Sequence, residues 1–220
     1  MKFLTKLFKF ICGILLLPFC AGAVLALWKV ILVSGSADMI WITILAGALA
    51  FVLIYLFLAK PVWIYVFGHE MTHALWSWFF GGKLHQMRVT SGGGHVLITK
   101  ANFITSLAPY FFPVYAVLIV VIYGLGNFFW DWSHYVLIFY FLLGMAYAFH
   151  ITFTIHSLKI DQPDVLEQGS IFSAVIIFLG NILVLLVGIP LLSGKTNVST
   201  AFHLWVDNSM QIYNYIINLF

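Results

Sequence analysis

The sequence contains very little charge. Of its 220 residues, 8% are Asp, Glu, Lys or Arg, whereas 63% are hydrophobic. Soluble domains usually carry about 25% charged residues, so this chain has too few charges to cover the surface of one. Its formal net charge is only +3, and the lysines are scattered. The composition therefore excludes a soluble domain, a disordered chain and a nucleic-acid-binding protein.

Cysteine is also scarce. Cys12 and Cys20 are the two cysteines of the chain, and eight residues of helix separate their positions by about 12 Å, too far for a disulfide bond. The sequence has no CxxC pair of the kind that binds metal. We therefore expect neither a disulfide framework nor a cysteine-bound metal.

Long hydrophobic runs make up most of the chain. A transmembrane helix needs about 20 apolar residues, and the predicted spans are 9–33, 39–59, 61–80, 104–123, 133–157 and 165–192. The first run is longer than the 7–15 apolar residues of a cleaved signal peptide, so we interpret it as a span. The sequence predicts an all-α polytopic membrane protein with about six transmembrane helices, located in the cell membrane with the lipid bilayer as a partner.

Residues 83–102 differ from these spans. Two short β-prone runs flank the turn Ser91-Gly92-Gly93-Gly94, a pattern typical of a β-hairpin. Unpaired strand edges cannot face lipid, because their backbone groups would lack hydrogen-bond partners. We therefore expect a membrane-associated hairpin that lies at the interface or lines a wet cavity walled by protein.

The third predicted span contains His69-Glu70-Met71-Thr72-His73, an HExxH motif. Histidines at i and i+4 share one helix face and can hold one Zn²⁺, while the glutamate acts as general base on a zinc-bound water. Random placement of the same residues gives roughly 0.003 matches. Ionisable residues inside a span are costly and functional by default. The motif predicts a zinc site with Glu70 as the catalytic base; the alternative is histidines that only pack within a helix bundle.

A catalytic zinc takes three protein ligands, so one ligand must come from elsewhere. The candidates by residue type are Asp161, Asp164, Glu167, His85, His95, His150 and His156. If the spans alternate in direction, the junction of the fifth and sixth spans lies on the same side as the motif. Asp161 and Asp164 occur at that junction. Topology favours these two aspartates and leaves both open.

This arrangement resembles the site-2 protease family of intramembrane zinc metalloproteases. An HExxH span, a glycine-rich hairpin and an aspartate at the start of a later span carry the resemblance, which covers about residues 61–190. The resemblance implies that His69 and His73 bind zinc, that Glu70 is the base and that a distal aspartate is the third ligand.

The distal motif departs from the family pattern. Where the family has an Asn-Pro loop ending in Leu-Asp-Gly, this chain has Lys-Ile-Asp161-Gln-Pro-Asp164-Val. Asp164 directly precedes the sixth predicted helix, as the family's aspartate precedes its own helix. The resemblance therefore favours Asp164 as the third ligand and keeps Asp161 as the alternative.

By this resemblance we expect a zinc metalloendopeptidase, with one Zn²⁺ per chain, that hydrolyses peptide bonds in or next to transmembrane segments. Its partner would be a transmembrane or membrane-adjacent peptide, bound as an added strand at the hairpin around Gly92, Gly93, Gly94 and His95. The alternative function is a non-proteolytic zinc-binding membrane scaffold or regulator that retains the motif.

The same expectations divide the chain into three parts. Residues 1–60 form an N-terminal pair of transmembrane helices. Residues 61–192 form the metalloprotease core, which combines the HExxH helix, the hairpin and three further helices. Residues 193–220 form a C-terminal tail, which we interpret as an interfacial helix because its apolar and polar residues alternate.

Overall fold

The computed structural model describes residues 2–35, 38–58, 60–90 and 92–219 of the chain. This part of the chain is mainly helical and contains one small sheet. The helices are α1 Lys2–Leu15, α2 Leu17–Ser34, α3 Asp38–Phe57, α4 Val62–Phe79, α5 Phe103–Leu107, α6 Val114–Trp130, α7 Val136–Ser157, α8 Pro163–Gln168, α9 Ser170–Ser193 and α10 Val198–Ile217. The strands are β1 Leu84–Thr90 and β2 Gly93–Ile98.

Long apolar helices mark the chain as a membrane protein. Within the described ranges, four helical stretches are long and apolar enough to cross a membrane: Leu4–Ser34, Met39–Phe57, Trp132–Ser157 and Ser170–Ser193. A bent helix pair, Phe103–Tyr110 with Val114–Trp130, is either a fifth, broken span or a re-entrant loop. Helix α4 is not one of these candidate spans, because the polar residues of its HExxH motif lower its mean hydropathy. The six predicted spans and the location in the cell membrane stay predictions.

The break between α5 and α6 has its cause in two prolines. The two parts of this candidate span are bent by 81°. Pro109 and Pro113 have no backbone N–H to donate, so one turn of 3-10 helix, Ala108–Tyr110, interrupts the α-helix. Beyond the break, α6 continues to Trp130. The helix therefore continues for seven residues beyond residue 123, where the fourth predicted span ends, and the aromatic residues 128–130 form its last turn.

The chain divides into two compact units. Unit 1 combines Met1–Ala37 with Pro163–Phe220, and unit 2 is Asp38–Gln162. Unit 1 contains α1, α2 and α8 to α10, whereas unit 2 contains α3 to α7 and the sheet. The three predicted parts of the chain stay a prediction.

In unit 1, α2 packs against α9 and α10. A Cβ atom at Gly22 would lie 2.2 Å from Ser209 Oγ, so glycine is what permits the close approach of α2 and α10. Lys29 Nζ donates a hydrogen bond to Asn208 Oδ1 at 2.8 Å, and Trp205 Nε1 donates one to the Phe19 carbonyl at 2.9 Å. The tail is thus a helix that packs along α2, while its interfacial position stays a prediction.

In unit 2, α3 and α7 make the most extensive helix pair. A Cβ atom at Gly47 would lie 1.9 Å from the Phe141 carbonyl oxygen, and one at Gly144 would lie 2.0 Å from the Ile44 carbonyl oxygen. These glycines let the two backbones meet, which is how helices gain van der Waals contact in a membrane. An aromatic cluster of Phe51, Phe149 and Phe153 extends the interface toward α4.

Helix α4 ends abruptly and leads into the sheet. Gly81 adopts a left-handed φ of +73°, and the Gly82 N–H donates to the Ser77 carbonyl at 2.7 Å, which closes the helix as a glycine cap does. The chain enters the sheet at Lys83 and leaves it at Thr99. These two residues are tied together, since Lys83 N donates to Thr99 Oγ1 at 2.8 Å and Thr99 N donates to the Lys83 carbonyl at 3.1 Å.

Strands β1 and β2 pair antiparallel and pack against α4. Val89 lies opposite Gly94, and Arg88 lies opposite His95. Because side chains alternate between the two faces of a sheet, the faces differ. The half-buried residues Met87, Val89, Val96 and Ile98 share one face, and the exposed Arg88 and His95 share the other. The sheet lies within the range 83–102 predicted to form a hairpin; its association with the membrane stays a prediction.

Candidate metal centre

The HExxH residues lie in the middle of α4, in unit 2. The rings of His69 and His73 have centroids 4.9 Å apart, so both imidazoles project from one side of the helix. Glu70 and His73 are each 7% exposed, and His69 is half-buried. Two neighbouring imidazoles and a buried carboxylate on the same helix, inside an apolar unit, are an arrangement suited to metal binding and proton transfer.

A backbone carbonyl fixes the tautomer of His73. His73 Nδ1 lies 2.8 Å from the carbonyl oxygen of Thr105. A carbonyl oxygen only accepts hydrogen bonds, so Nδ1 carries the proton and donates. The lone pair of the neutral imidazole therefore resides on Nε2, which is the ligand atom of a histidine held in this way.

The position of Thr105 is set by Asn102. Asn102 is the N-cap of α5, and its Oδ1 accepts a hydrogen bond from the Thr105 N–H at 2.9 Å. The same peptide segment thus fixes the carbonyl that orients His73. Sequence reasoning missed Thr105, although an asparagine three residues before it is a recognisable capping signal.

Two tyrosines pack against His69. The Tyr110 ring meets the His69 ring edge to face, with centroids 5.2 Å apart, and Tyr65 lies one turn earlier on α4 with its centroid 5.8 Å from that of His69. Tyr110 is fully buried. Sequence reasoning singled out neither tyrosine. The i to i+4 spacing of Tyr65 and His69 was the available signal.

A small cavity adjoins the histidine pair. It measures about 20 Å³, and His69, Thr72, Tyr115 and His150 are among its lining residues. This volume holds about one water molecule. His150 is buried in α7, so the fifth predicted span contributes to the surroundings of the motif from within unit 2.

Glycine brings the sheet onto Glu70. A Cβ atom at Gly94 would lie 2.7 Å from Val66 Cγ1, 2.8 Å from Glu70 Cγ and 2.9 Å from the Arg88 carbonyl oxygen. No other residue type fits this position without displacing the strand or the glutamate. β2 therefore passes directly beside Glu70.

The remaining candidates have different surroundings. His85 and His95 are exposed on the strands, and Asp161 and Glu167 are exposed as well. His156 Nδ1 lies 3.4 Å from the Tyr55 hydroxyl at the end of α7. Asp164 is half-buried in the first turn of α8, two residues after unit 2 ends.

The structure thus brings His69, Glu70, His73 and Gly94 together inside unit 2. It separates Gly92 and Gly93, at the turn, and His95, on the exposed face, from that group. The choice between Asp164 and Asp161 as third ligand stays a prediction.

Comparison with known proteins adds no identification. No protein-family model, no curated protein and no solved structure matches the chain. The resemblance to the site-2 protease family therefore rests on the motif residues and their order along the chain. A function has to be argued from the geometry of the site.

Proposed function

We propose that this protein is an intramembrane zinc metalloendopeptidase that cleaves transmembrane or membrane-adjacent peptide segments. The observation that carries the proposal is the buried group on α4. There, His69 and His73 project from one helix face, the buried Glu70 follows His69 in sequence, and the carbonyl of Thr105 fixes the tautomer of His73. A helix that only packs has no need for a buried carboxylate and two imidazoles at this spacing.

The donor set fits zinc. His73 offers Nε2, because its Nδ1 donates to a carbonyl, and this outer hydrogen bond is the usual support of a zinc-binding histidine. His69, one turn earlier, is held by the rings of Tyr65 and Tyr110. When bound, zinc supplies a Lewis acid that polarises a carbonyl and increases the acidity of a water molecule.

Asp164 is the proposed third ligand, and the course of the chain supports it. Gln162, the last residue of unit 2, donates from Nε2 to the Ser157 carbonyl at 3.0 Å, and its Oε1 lies 3.5 Å from the Tyr110 hydroxyl. Tyr110 packs on His69. Two residues of chain reach at most about 7 Å, so Asp164 begins close to this contact.

Burial favours Asp164 over Asp161, which has similar reach along the chain. Asp164 is half-buried and Asp161 is exposed, and a ligand of a metal inside a membrane protein must be shielded from bulk water. In the proposed group, His69, His73 and Asp164 would each supply one ligand atom to the metal.

Glu70 has the role of general base in this proposal. Its burial removes competing water, and its carboxylate accepts the proton of the attacking water and then transfers it to the leaving amine. His73 offers an unprotonated Nε2 to the metal, since the hydrogen bond from its Nδ1 accounts for the ring proton.

Strand addition to the sheet is the proposed mode of substrate binding. An extended peptide that pairs with the outer edge of β2 gains backbone hydrogen bonds and is held in the conformation that hydrolysis requires. The contact of Gly94 with Glu70 supports this mode, because a strand beside β2 runs past the general base. The substrate segment must unwind to pair in this way.

The test compares wild-type protein with Glu70→Gln and with Glu167→Gln. Glu167 is the second glutamate of the chain and is exposed, so it provides a matched control. Membrane peptides of cells that express each form are compared by mass spectrometry, and the zinc content of each purified protein is measured.

We expect Glu70→Gln to keep its zinc and to lose cleavage by a factor of about 10² to 10⁴, the usual contribution of a general base. Glu167→Gln should retain both zinc and cleavage. Full cleavage by Glu70→Gln would exclude the assigned base. Bound zinc without any cleavage by the wild type would instead support the non-proteolytic scaffold.

A further inference from the structure

A second cavity lies in unit 1, between α1 and the junction of α8 and α9. It measures about 380 Å³, which is within the range of small-molecule sites. Its lining residues are Lys6, Leu7 and Phe10 of α1 together with residues 168–172. None of these residues belongs to the proposed peptidase site.

The lining has a polar part and an apolar part. Lys6 and Ser170 are polar and exposed, whereas Leu7, Phe10 and Ile171 are large exposed apolar side chains. A free inorganic ion would leave that apolar surface uncovered. The cavity therefore suits a molecule with one charged end and one hydrocarbon end.

The charge of the cavity is positive. Lys6 lines it, and Lys9, one turn further along α1, donates to Gln168 Oε1 and lies 6.0 Å from the ring centroid of Phe172. No acidic residue is among the described lining residues. Glu167 precedes Gln168 in sequence, but it is exposed and does not line the cavity. The complementary ligand is an anion.

The depth of the cavity matches the headgroup region of a membrane. The apolar stretch that includes α1 begins at Leu4, and α9 begins at Ser170, so the cavity is formed by the first residues of two candidate spans. The ends of membrane spans lie at the level of the lipid headgroups. Lysines at this level attract anionic lipids.

We propose that this cavity binds an anionic phospholipid. The lipid phosphate lies at Lys6, and the upper part of one acyl chain packs against Leu7, Phe10 and Ile171. The hydrogen bond from Lys9 to Gln168 joins α1 to the α8–α9 junction and so holds the two walls of the cavity together. The site is separate from peptide hydrolysis and does not depend on it.

The experiment measures lipid bound to purified full-length protein. The protein is incubated in detergent with phosphatidylglycerol or with phosphatidylcholine, and the retained lipid is counted by native mass spectrometry. The variants are Lys6→Gln, which removes the charge, and Leu7→Trp, which fills the apolar part. Lys195→Gln is the matched control, because Lys195 is an exposed lysine beyond the other end of α9.

We expect the wild type and Lys195→Gln to retain one phosphatidylglycerol in preference to phosphatidylcholine. Lys6→Gln should reduce that preference about fivefold, since one basic residue contributes about this factor near a membrane surface. Leu7→Trp should reduce retention of both lipids. Equal lipid retention by wild type and Lys6→Gln would overturn the proposal. So would displacement of the lipid by inorganic phosphate alone, because the site would then bind phosphate and not a phospholipid.

Discussion

The two units bury different kinds of polar side chain. Among the described residues of unit 1, the buried polar residues are Ser34, Gln168, Ser173, Asn208 and Ser209, none of which ionises. Unit 2 also buries hydroxyl groups, but in addition it buries Glu70, His73 and His150. The buried carboxylate and the buried imidazoles of the described residues therefore all belong to unit 2.

This difference distinguishes polar side chains that only join helices from ionisable side chains for which we propose a role in catalysis. The neutral groups of unit 1 connect helices. Asn208 Oδ1 on α10 accepts a hydrogen bond from Lys29 Nζ on α2, and Ser34 Oγ on α2 lies 3.2 Å from Ser193 Oγ on α9. Such contacts contribute about 0.6 kcal/mol on average in membrane proteins. Burying an ionisable group costs several times more, which is why we propose a chemical role for Glu70 and the histidines of unit 2.

The largest expected effect concerns the third ligand. Asp164→Ala should lose the bound zinc, because two histidines alone hold the metal weakly, whereas Asp161→Ala should keep about one zinc per chain. Metal analysis of both purified variants decides between the two residues. If Asp164→Ala kept its zinc and Asp161→Ala lost it, Asp161 would be the third ligand instead.

Next in size is the effect of a side chain at Gly94. Gly94→Ala should slow cleavage by up to about 100-fold, because displacement of the strand or of Glu70 by about 1 Å is that costly to catalysis. Gly92→Ala is the control, since its Cβ would lie 3.9 Å from its nearest neighbour, Thr90 Oγ1. Cleavage assays with one membrane peptide compare the two. Equal rates would mean that the contact between sheet and helix has no role in catalysis.

A pair of helix caps tests the comparison between the units directly. Asn102 caps α5, and Asn197 caps α10 by the same hydrogen bond, to the Thr200 N–H at 2.7 Å. Alanine at either position should cost about 1 kcal/mol of stability. Asn102→Ala should also weaken zinc binding about 10-fold or more, because the Thr105 carbonyl loses its position. A zinc titration in which both variants bind alike would remove Asn102 from the metal centre.

The smallest expected effect is in unit 1. Asn208 is 4% exposed, and its Nδ2 has no hydrogen-bond partner within the described ranges. Asn208→Leu should change thermal stability by less than about 1 kcal/mol and leave zinc content and cleavage unchanged. If the variant lost cleavage while its stability was unchanged, a buried polar side chain of unit 1 would also have a role in catalysis.

Sequence patterns predicted the features that depend on neighbours along the chain. The HExxH spacing places His69 and His73 on one face of α4, and Gly81 ends that helix at the predicted position. Both are local properties of the helix, so residue spacing is enough to predict them. The small sheet likewise follows from two β-prone runs around a glycine-rich turn.

Features that depend on distant contacts were not predictable in this way. The carbonyl of Thr105 reaches His73 across 32 residues, and a backbone group has no signature in the sequence. The steric need for Gly94 also depends on the packing of β2 against α4. The fourth predicted span ends at residue 123, whereas α6 ends at Trp130. The end of this helix was difficult to predict because aromatic residues at the headgroup level occur in loops as well as at helix ends.

The tie between Lys83 and Thr99 makes the sheet a self-contained insertion. The chain enters and leaves it at one point, while the elements that orient His73 lie outside it, on α4 and α5. Changes within the strands, apart from the contact at Gly94, therefore need not alter the histidine pair. In the proposed peptidase, the strand residues other than Gly94 can therefore set substrate preference without changing the groups that orient His73.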